Sequence, residues 1–242
     1  MRLAIYTCVV GGYDKIRLPK YIDDRIDYHC WTDTPELVPE TWVSHDIKSL
    51  SMNAKDVNRY IKINIQKLSE LRGYDYTVYV DGSIELVGDV YEVAEDLNKN
   101  NVIMGMYDHP FRKCLYDEAI ECAKLGHVDV MLIKRQLRKY LESGYPKSAG
   151  LYECNVIFRK NEKNIEKIME MWWGEYKKGA KRDQISIPWV AWINNFKITS
   201  LGKSDARYDN KYLILHSHSV DGRKIKQKML SIRNRFIMYV GC

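Results

Sequence analysis

Four times in its first 110 residues the sequence drives an apolar run of strand length into a bend or a charge. "YTCVV" meets Gly11-Gly12-Tyr13-Asp14, and "IDYHCW" meets Thr32-Asp33-Thr34-Pro35. "YTVYV" meets Asp81-Gly82-Ser83, and "VIMGMY" meets Asp108-His109-Pro110. Apolar runs of this kind are what strands buried on both faces require. Gly, Asp and Pro punctuate the chain where a strand must stop and turn. "TWVSHDI" predicts a further strand. Between the runs, the spacing of Ile61, Ile65 and Leu68 predicts an amphipathic helix from about Asp56 to Leu71.

Helical patterning returns through about 115–142 with a break near Gly126, and "GLYECNVIFRK" then reads as a strand. "EKNIEKIMEMWWGEYKKG" places Ile165, Ile168, Met169 and Trp172 on one helical face, and "RDQISIPWVAWINN" reads as a short helix. "KITSLG" and "KYLILHSHS" read as closing strands. Strands alternating with helices through the first half predict an α/β architecture, a mostly parallel central sheet flanked by helices on both faces. No internal repeat or Gly/Ser linker divides the 242 residues, so we expect one domain over 1–220 and a separate tail over 221–242.

The six cysteines are scattered, with no CxxC pair and no zinc-ligand spacing, and they suit a reducing, cytoplasmic setting. The opening apolar run is too short for a signal peptide. No stretch reaches the roughly 20 residues of a membrane span. The net charge of +6 is concentrated in the tail, which carries Arg223, Lys224, Lys226, Lys228, Arg233 and Arg235 and no acid after Asp221. Interleaved apolar residues allow two readings. One is a basic amphipathic helix on an anionic membrane surface, peripheral on the inner face. The other is a helix docked on the core with its basic face in water. No nucleic-acid partner is expected, because no recognised module accompanies the charge.

Ligands of open α/β sheets bind at the carboxyl ends of the strands. Val10, Gly11, Gly12 and Tyr13, with Asp33 beside them, would let a ligand approach the backbone. Asp81 emerges from a buried strand with Gly82 allowing a sharp turn. With the Ser83 hydroxyl it offers oxygens to Mn²⁺ or Mg²⁺; the plainer reading is a turn-capping aspartate. Arg59 and Lys62 share a helical face with Gln66, suited to phosphate oxygens or simply to water. His216, on the polar alternation of the last strand, is preferred to His218 as a further metal ligand; a hydrogen-bonded structural histidine is the alternative. Arg182-Asp183-Gln184 opens a helix, either as an N-cap at Asp183 or as a group facing a sugar. Asp108, His109, Arg112 and Glu153 are further polar residues at strand ends or in loops.

In this order, "YTCVVGGYD", "WTD", "NRYIKI", "YTVYVDGSIEL", "DHPFRKCLYDEA", "GLYECNVIFRK" and "RDQIS" resemble a family of glycosyltransferase-like proteins. That family, long labelled a domain of unknown function, includes plant members linked to mucilage synthesis and turgor regulation, and bacterial members in polysaccharide clusters. The resemblance covers roughly residues 3–190. It implies a GT-A-type enzyme moving a sugar from a nucleotide-sugar donor, a UDP-sugar favoured, to a saccharide or lipid-linked acceptor. More distantly the chain resembles retaining transferases of the glycogenin and lipopolysaccharide-galactosyltransferase kind. On that likeness Asp81 and Ser83 match the metal-binding DxD positions, His216 the late histidine, and Asp183-Gln184 the pair at the sugar. Ser83 in place of the second Asp removes a carboxylate, and Arg59 and Lys62 would offset the lost charge at the diphosphate. Asp183, Glu153 and Asp108 are the candidate bases, with Arg182 beside them; the analogy leans to retention. The alternative is a catalytically inactive, membrane-peripheral protein that binds a nucleotide or glycan.

Overall fold

The computed structural model describes residues 1–203, 206, 207, 210–217 and 224–240, with only the backbone at Lys224. Seven strands form the main sheet in the order β3-β2-β1-β4-β7-β6-β8. They are β1 (Leu3–Val9), β2 (Ile26–Thr32), β3 (Val43–Asp46), β4 (Tyr76–Val80), β6 (Met104–Asp108), β7 (Tyr152–Lys160) and β8 (Thr199–Ser200). β1 runs parallel to β2 and β4, β2 to β3, and β6 to β8. β7 alone runs antiparallel to its neighbours. The chain is thus an α/β protein with a mostly parallel sheet, as its strand-and-helix alternation requires and as a GT-A-like fold has it.

The pleat of β1 shows why the strands read as unbroken apolar runs. Leu3 and Ile5 enter one core layer while Ala4, Tyr6 and Cys8 enter the other, and all of them are buried. On the larger layer lie α1 (Ala54–Ile63), α3 (Leu115–Lys124), α4 (Val130–Glu142), α5 (Lys163–Lys178) and α6 (Asp183–Ile193). α2 (Val90–Lys99) covers the opposite face. Ile165, Ile168, Met169 and Trp172 are all buried, as the spacing in α5 predicts. Cys8, Cys30, Cys114, Cys122 and Cys154 are reduced and buried, packing as small apolar groups; Cys242 lies outside the described residues.

Three sequence expectations are corrected, and one helix has no counterpart among them. The helix expected to reach Leu71 stops at Ile63, and two 3-10 turns, Ile65–Lys67 and Ser69–Leu71, follow it. Arg159 explains the stop: its buried guanidinium donates to the carbonyls of Lys62 (2.8 Å) and Ile63 (3.5 Å) and to the Tyr6 hydroxyl. The Tyr6 hydroxyl also donates to the Lys62 carbonyl at 3.1 Å, so side chains satisfy the carbonyls at the helix end, where positive charge is favoured. α2 was not foreseen. Its start is set by Asp89, whose side chain accepts the Glu92 N–H at 2.9 Å. Among the described residues the strand expected in "KYLILHSHS" is β9 (Leu213–Leu215), and it pairs antiparallel with β5 (Ile84–Leu86) in a separate two-stranded sheet. "KITSLG" contributes just the two residues of β8. In the tail, α7 (Lys224–Val240) is helical and docks against α3 and α4.

Candidate active site

The carboxyl ends of β1, β2 and β4 converge, as the parallel sheet demands. Gly11 and Gly12 have φ of +68° and +61°, a region that glycine enters without the Cβ clash. The Gly11 N–H donates to Asp33 Oδ2 at 2.8 Å, tying the loop after β1 to the end of β2. Val10 is buried beneath this loop, whereas Gly11, Gly12 and Asp33 are exposed and Tyr13 is half-buried. A Cβ on Gly82 would lie 2.7 Å from Val9 Cγ2, so the turn after Asp81 sits directly on the β1 end. Val10, Gly11, Gly12, Tyr13, Asp33, Asp81 and Gly82 therefore form one rim.

Behind the rim lies a buried ionic network. Lys62, 1% exposed, places Nζ 3.0 Å from Asp81 Oδ1 and 3.0 Å from Asp183 Oδ2. Arg59 Nε lies 2.9 Å from the same Asp183 oxygen. Tyr79 donates its hydroxyl to Asp81 Oδ1 at 2.8 Å. Burial opposes ionisation of Asp183, but Arg59, Lys62 and Arg182 outweigh it and hold the carboxyl well below the usual range. Burial likewise works against the Arg59 guanidinium, and Asp183 and Asp81 overcome it. Lys62 is therefore no solvated surface charge. It is the shared counter-ion of a strand end and a helix start. Asp183 is not the N-cap: Arg182 holds that position, and Asp183 is the first residue of α6. Trp172 fixes that helical turn by donating Nε1 to Ser186 Oγ (3.1 Å) and to the Asp183 carbonyl (3.3 Å).

Lys55, at i, i+4 and i+7 from Arg59 and Lys62, occupies the same face of α1. It is half-buried, and no ion pair engages it among the described residues. Burial, then repulsion by Arg182 and Arg59, pushes its ammonium down to about 8. Three cations thus crowd the space in front of Asp183, a setting that an anionic ligand relieves.

Beside the start of α6 opens a polar cleft of about 190 Å³, lined in part by His109, Arg112, Glu118, Glu153, Arg182, Gln184 and Arg207. His109 Nδ1 accepts the backbone N–H groups of Phe111 (3.2 Å) and Arg112 (3.1 Å). In the neutral ring the proton is therefore on Nε2, which faces Glu118 at 3.5 Å and Glu153 at 3.6 Å. Arg112 Nε donates to Glu118 at 2.5 Å, and Arg207 Nη1 lies 2.9 Å from Glu153. Gln184 donates to Glu153 at 3.0 Å and accepts from Arg182 at 3.2 Å. The triplet Arg182-Asp183-Gln184 thus serves both sides, Asp183 facing the ions of α1 while Arg182 and Gln184 line the cleft. Asp108 is half-buried beside His109 but does not line the cleft. Asp81, its side chain 24% exposed, belongs to the rim rather than to the cleft. Next to Asp81 in the β4–β7 pair stands Asn155, whose carbonyl accepts the Asp81 N–H at 2.8 Å. Both ends of its buried side-chain amide lack a protein partner.

The side chains of Asp81, Ser83 and His216, expected to hold a metal together, have other partners here. The ladder brings the His216 backbone to Ser83, N–H to carbonyl at 2.8 Å, two residues from Asp81. Yet His216 Nε2 sits 2.9 Å from Glu85, Ser83 is 2% exposed, and Asp81 is engaged by Lys62 and Tyr79. Among the described residues no three His, Cys, Asp or Glu side chains are grouped to hold a metal. An ammonium stands where a cation between Asp81 and Asp183 would stand. His218 lies outside the described residues.

Sequence reasoning missed Lys55, Glu118 and Asn155. Lys55 was legible from its spacing to Arg59 and Lys62; Glu118 and Asn155 carry no local signal, since only the fold buries them.

Among the described residues no helix is long and apolar enough to cross a membrane. Residues 61–203 match the family model of the TOD1/MUCI70 glycosyltransferase-like domain. That span holds most of the ionic network and most of the cleft. No curated protein matches the chain.

Proposed function

Since the chain belongs to the TOD1/MUCI70 glycosyltransferase-like family, we propose that it transfers a sugar from a nucleoside-diphosphate sugar to a saccharide or lipid-linked acceptor. The observation that carries this reading is the first turn of α6. It joins a crowded cationic face to a polar cleft by adjacent residues, Asp183 on one side and Arg182 and Gln184 on the other.

In this reading the rim of Gly11, Gly12, Asp33 and Asp81 receives the nucleoside. Lys55, Arg59 and Arg182 meet the diphosphate, and the cleft receives the sugars. As the bond between the anomeric carbon and the phosphate oxygen breaks, its electron pair leaves on the diphosphate. Fixed cations aimed at that developing charge stabilise it without reorganising. Lys55 gains most, because the anion offsets the burial and the repulsion that lower its proton affinity. The new glycosidic bond forms to the acceptor oxygen, and Glu153, in the cleft and oriented by Arg207 and Gln184, receives its proton. Asp183 is unsuited to that step: a carboxyl held so far below its usual range is a weak base. Its role is to position Lys62 and Arg59. With Lys62 between Asp81 and Asp183, the diphosphate is met by side-chain cations and no step is assigned to a metal.

Isothermal titration with a panel of nucleoside diphosphates, with and without Mn²⁺, tests the reading. One diphosphate should bind without metal, and its sugar derivative should turn over with release of that diphosphate when a glycan acceptor is present. Absence of binding by every nucleotide, with or without metal, would remove the transferase assignment and leave the fold.

A further inference from the structure

α7 does not turn all of its apolar surface to the core, as an ordinary surface helix does. Its inward face is mixed, with Ile237 and Met238 packed against the core beside a set of polar contacts. Asn234 is fully buried, accepting the Val130 N–H at 3.2 Å and donating to the carbonyls of Ala123 (2.8 Å) and Val128 (2.7 Å). Gln227 donates to the Leu125 carbonyl at 3.0 Å, and Arg233 pairs with Asp129 at 2.7 Å. A Cβ on Gly126 would fall 2.1 Å from the Gln227 carbonyl, so the helix backbone rests directly on the turn between α3 and α4.

The outward face is apolar. Ile225, Met229, Ile232, Phe236, Tyr239 and Val240 are 62–86% exposed. At 3.6 residues per turn they share an arc of roughly 100°. A stripe of this length left to water is uncommon in a soluble protein and marks a contact surface.

Charge identifies what covers it. Lys226 flanks the stripe on one side and Lys228 and Arg235 on the other, all exposed, while Arg233 beside Lys226 is already answered by Asp129. No acidic residue occurs from Gly222 to Cys242. The spacing 225-229-232-236-239 would also suit a coiled-coil seam with a second copy. Two copies would then press cationic flanks together with no acid to answer them. An anionic bilayer supplies the missing charge and takes up the apolar stripe as well.

We propose that α7 is a membrane-surface helix: docked on the rest of the chain by its inward face, it lies in the headgroup region of an anionic bilayer with Ile225, Met229, Ile232 and Phe236 inserted. The inference stands on α7 alone and is independent of the transferase reading.

Co-sedimentation of the full chain with vesicles tests it. The protein should pellet with vesicles rich in phosphatidylglycerol, remain in solution with pure phosphatidylcholine, and be released by salt. Ile232→Ser combined with Phe236→Ser should weaken binding by about tenfold or more. Lys226→Gln combined with Lys228→Gln should weaken it by roughly fivefold per residue. These side chains are exposed, so circular dichroism and nucleotide binding should be unchanged in both variants. Equal partition onto neutral and anionic vesicles overturns the proposal, as does full binding by the serine variant. A dimer in light scattering that the serine variant dissociates, without vesicle binding, would assign the stripe to a second copy instead.

Discussion

Replacing Lys55 with Met should make the protein more stable and its site worse. In the native state the Lys55 ammonium titrates at about 8, against 10.5 for the unconstrained side chain, because it is half-buried and repelled by Arg182 and Arg59. Between those two values the unfolded chain holds more protons than the native one, so wild-type stability rises with pH across that window. Below pH 8 the penalty is fully present, and by about pH 10.5 little remains. The full gap is equivalent to roughly 3 kcal/mol. Part of the side chain reaches water, and screening there brings the figure to about 1–2 kcal/mol. Urea denaturation at pH 7 should therefore show Lys55→Met more stable by about 1–2 kcal/mol, with the gain shrinking toward zero as pH approaches 10.5. Calorimetric titration with inorganic pyrophosphate should show the reverse: loss of one charge-assisted contact costs about 1.5–3 kcal/mol, or roughly tenfold to a hundredfold in affinity. A variant that is less stable than wild type at pH 7, or that binds pyrophosphate as well, would refute the reasoning.

Three other substitutions probe the site. Asp183→Asn leaves Lys62 and Arg59 short of a buried counter-charge and should cost about 3–5 kcal/mol in denaturant unfolding, a loss under about 1 kcal/mol being inconsistent with the network. Because that carboxyl is held well below 3.8 in the native state, its contribution is present above pH 3.8 and should decline as pH falls below it. Gly82→Ala puts a methyl group 2.7 Å from Val9 Cγ2 and should destabilise by about 1–3 kcal/mol, with unchanged stability showing that the rim is not packed as described. Asn155→Leu removes a buried amide without protein partners; stability should hold or rise by about 1 kcal/mol while nucleotide-sugar affinity falls, and destabilisation without loss of affinity would remove Asn155 from the site.

What the sequence made legible follows a physical line. Strand ends were readable because burial on both faces forces apolar runs, and the residue after each run must turn the chain. Asp33 and Asp81 were found that way, and the structure gathers them into one rim. α1 was drawn too long because Ile65 and Leu68 continue its apolar spacing, while the group that ends it, Arg159, lies 96 residues away in the chain. For Lys62 the sequence suggests phosphate or water but not burial, because the two carboxylates that engage it come from Asp81 and from Asp183, 121 residues distant. His216 reached the neighbourhood of Ser83 as its strand position suggested, but Glu85, one step along the same small sheet, takes its imidazole. Polar groups satisfied over such separations leave no periodicity to read. Of the two readings of the tail, the docked helix is the one seen here, and an apolar stripe on that helix faces out.

The lysine beneath the rim has a further consequence for anyone altering this protein. Because Lys62 neutralises both the end of β4 and the start of α6, the ions beneath the rim also lock two distant segments together. Deleting a single charge there would confuse lost chemistry with lost architecture. An inactive yet intact form is better sought by exchanging oppositely charged partners as a set, or by changing Glu153 at the far side of the helix turn. Natural variation at Asp81, Lys62 and Asp183 should for the same reason occur in concert rather than one position at a time.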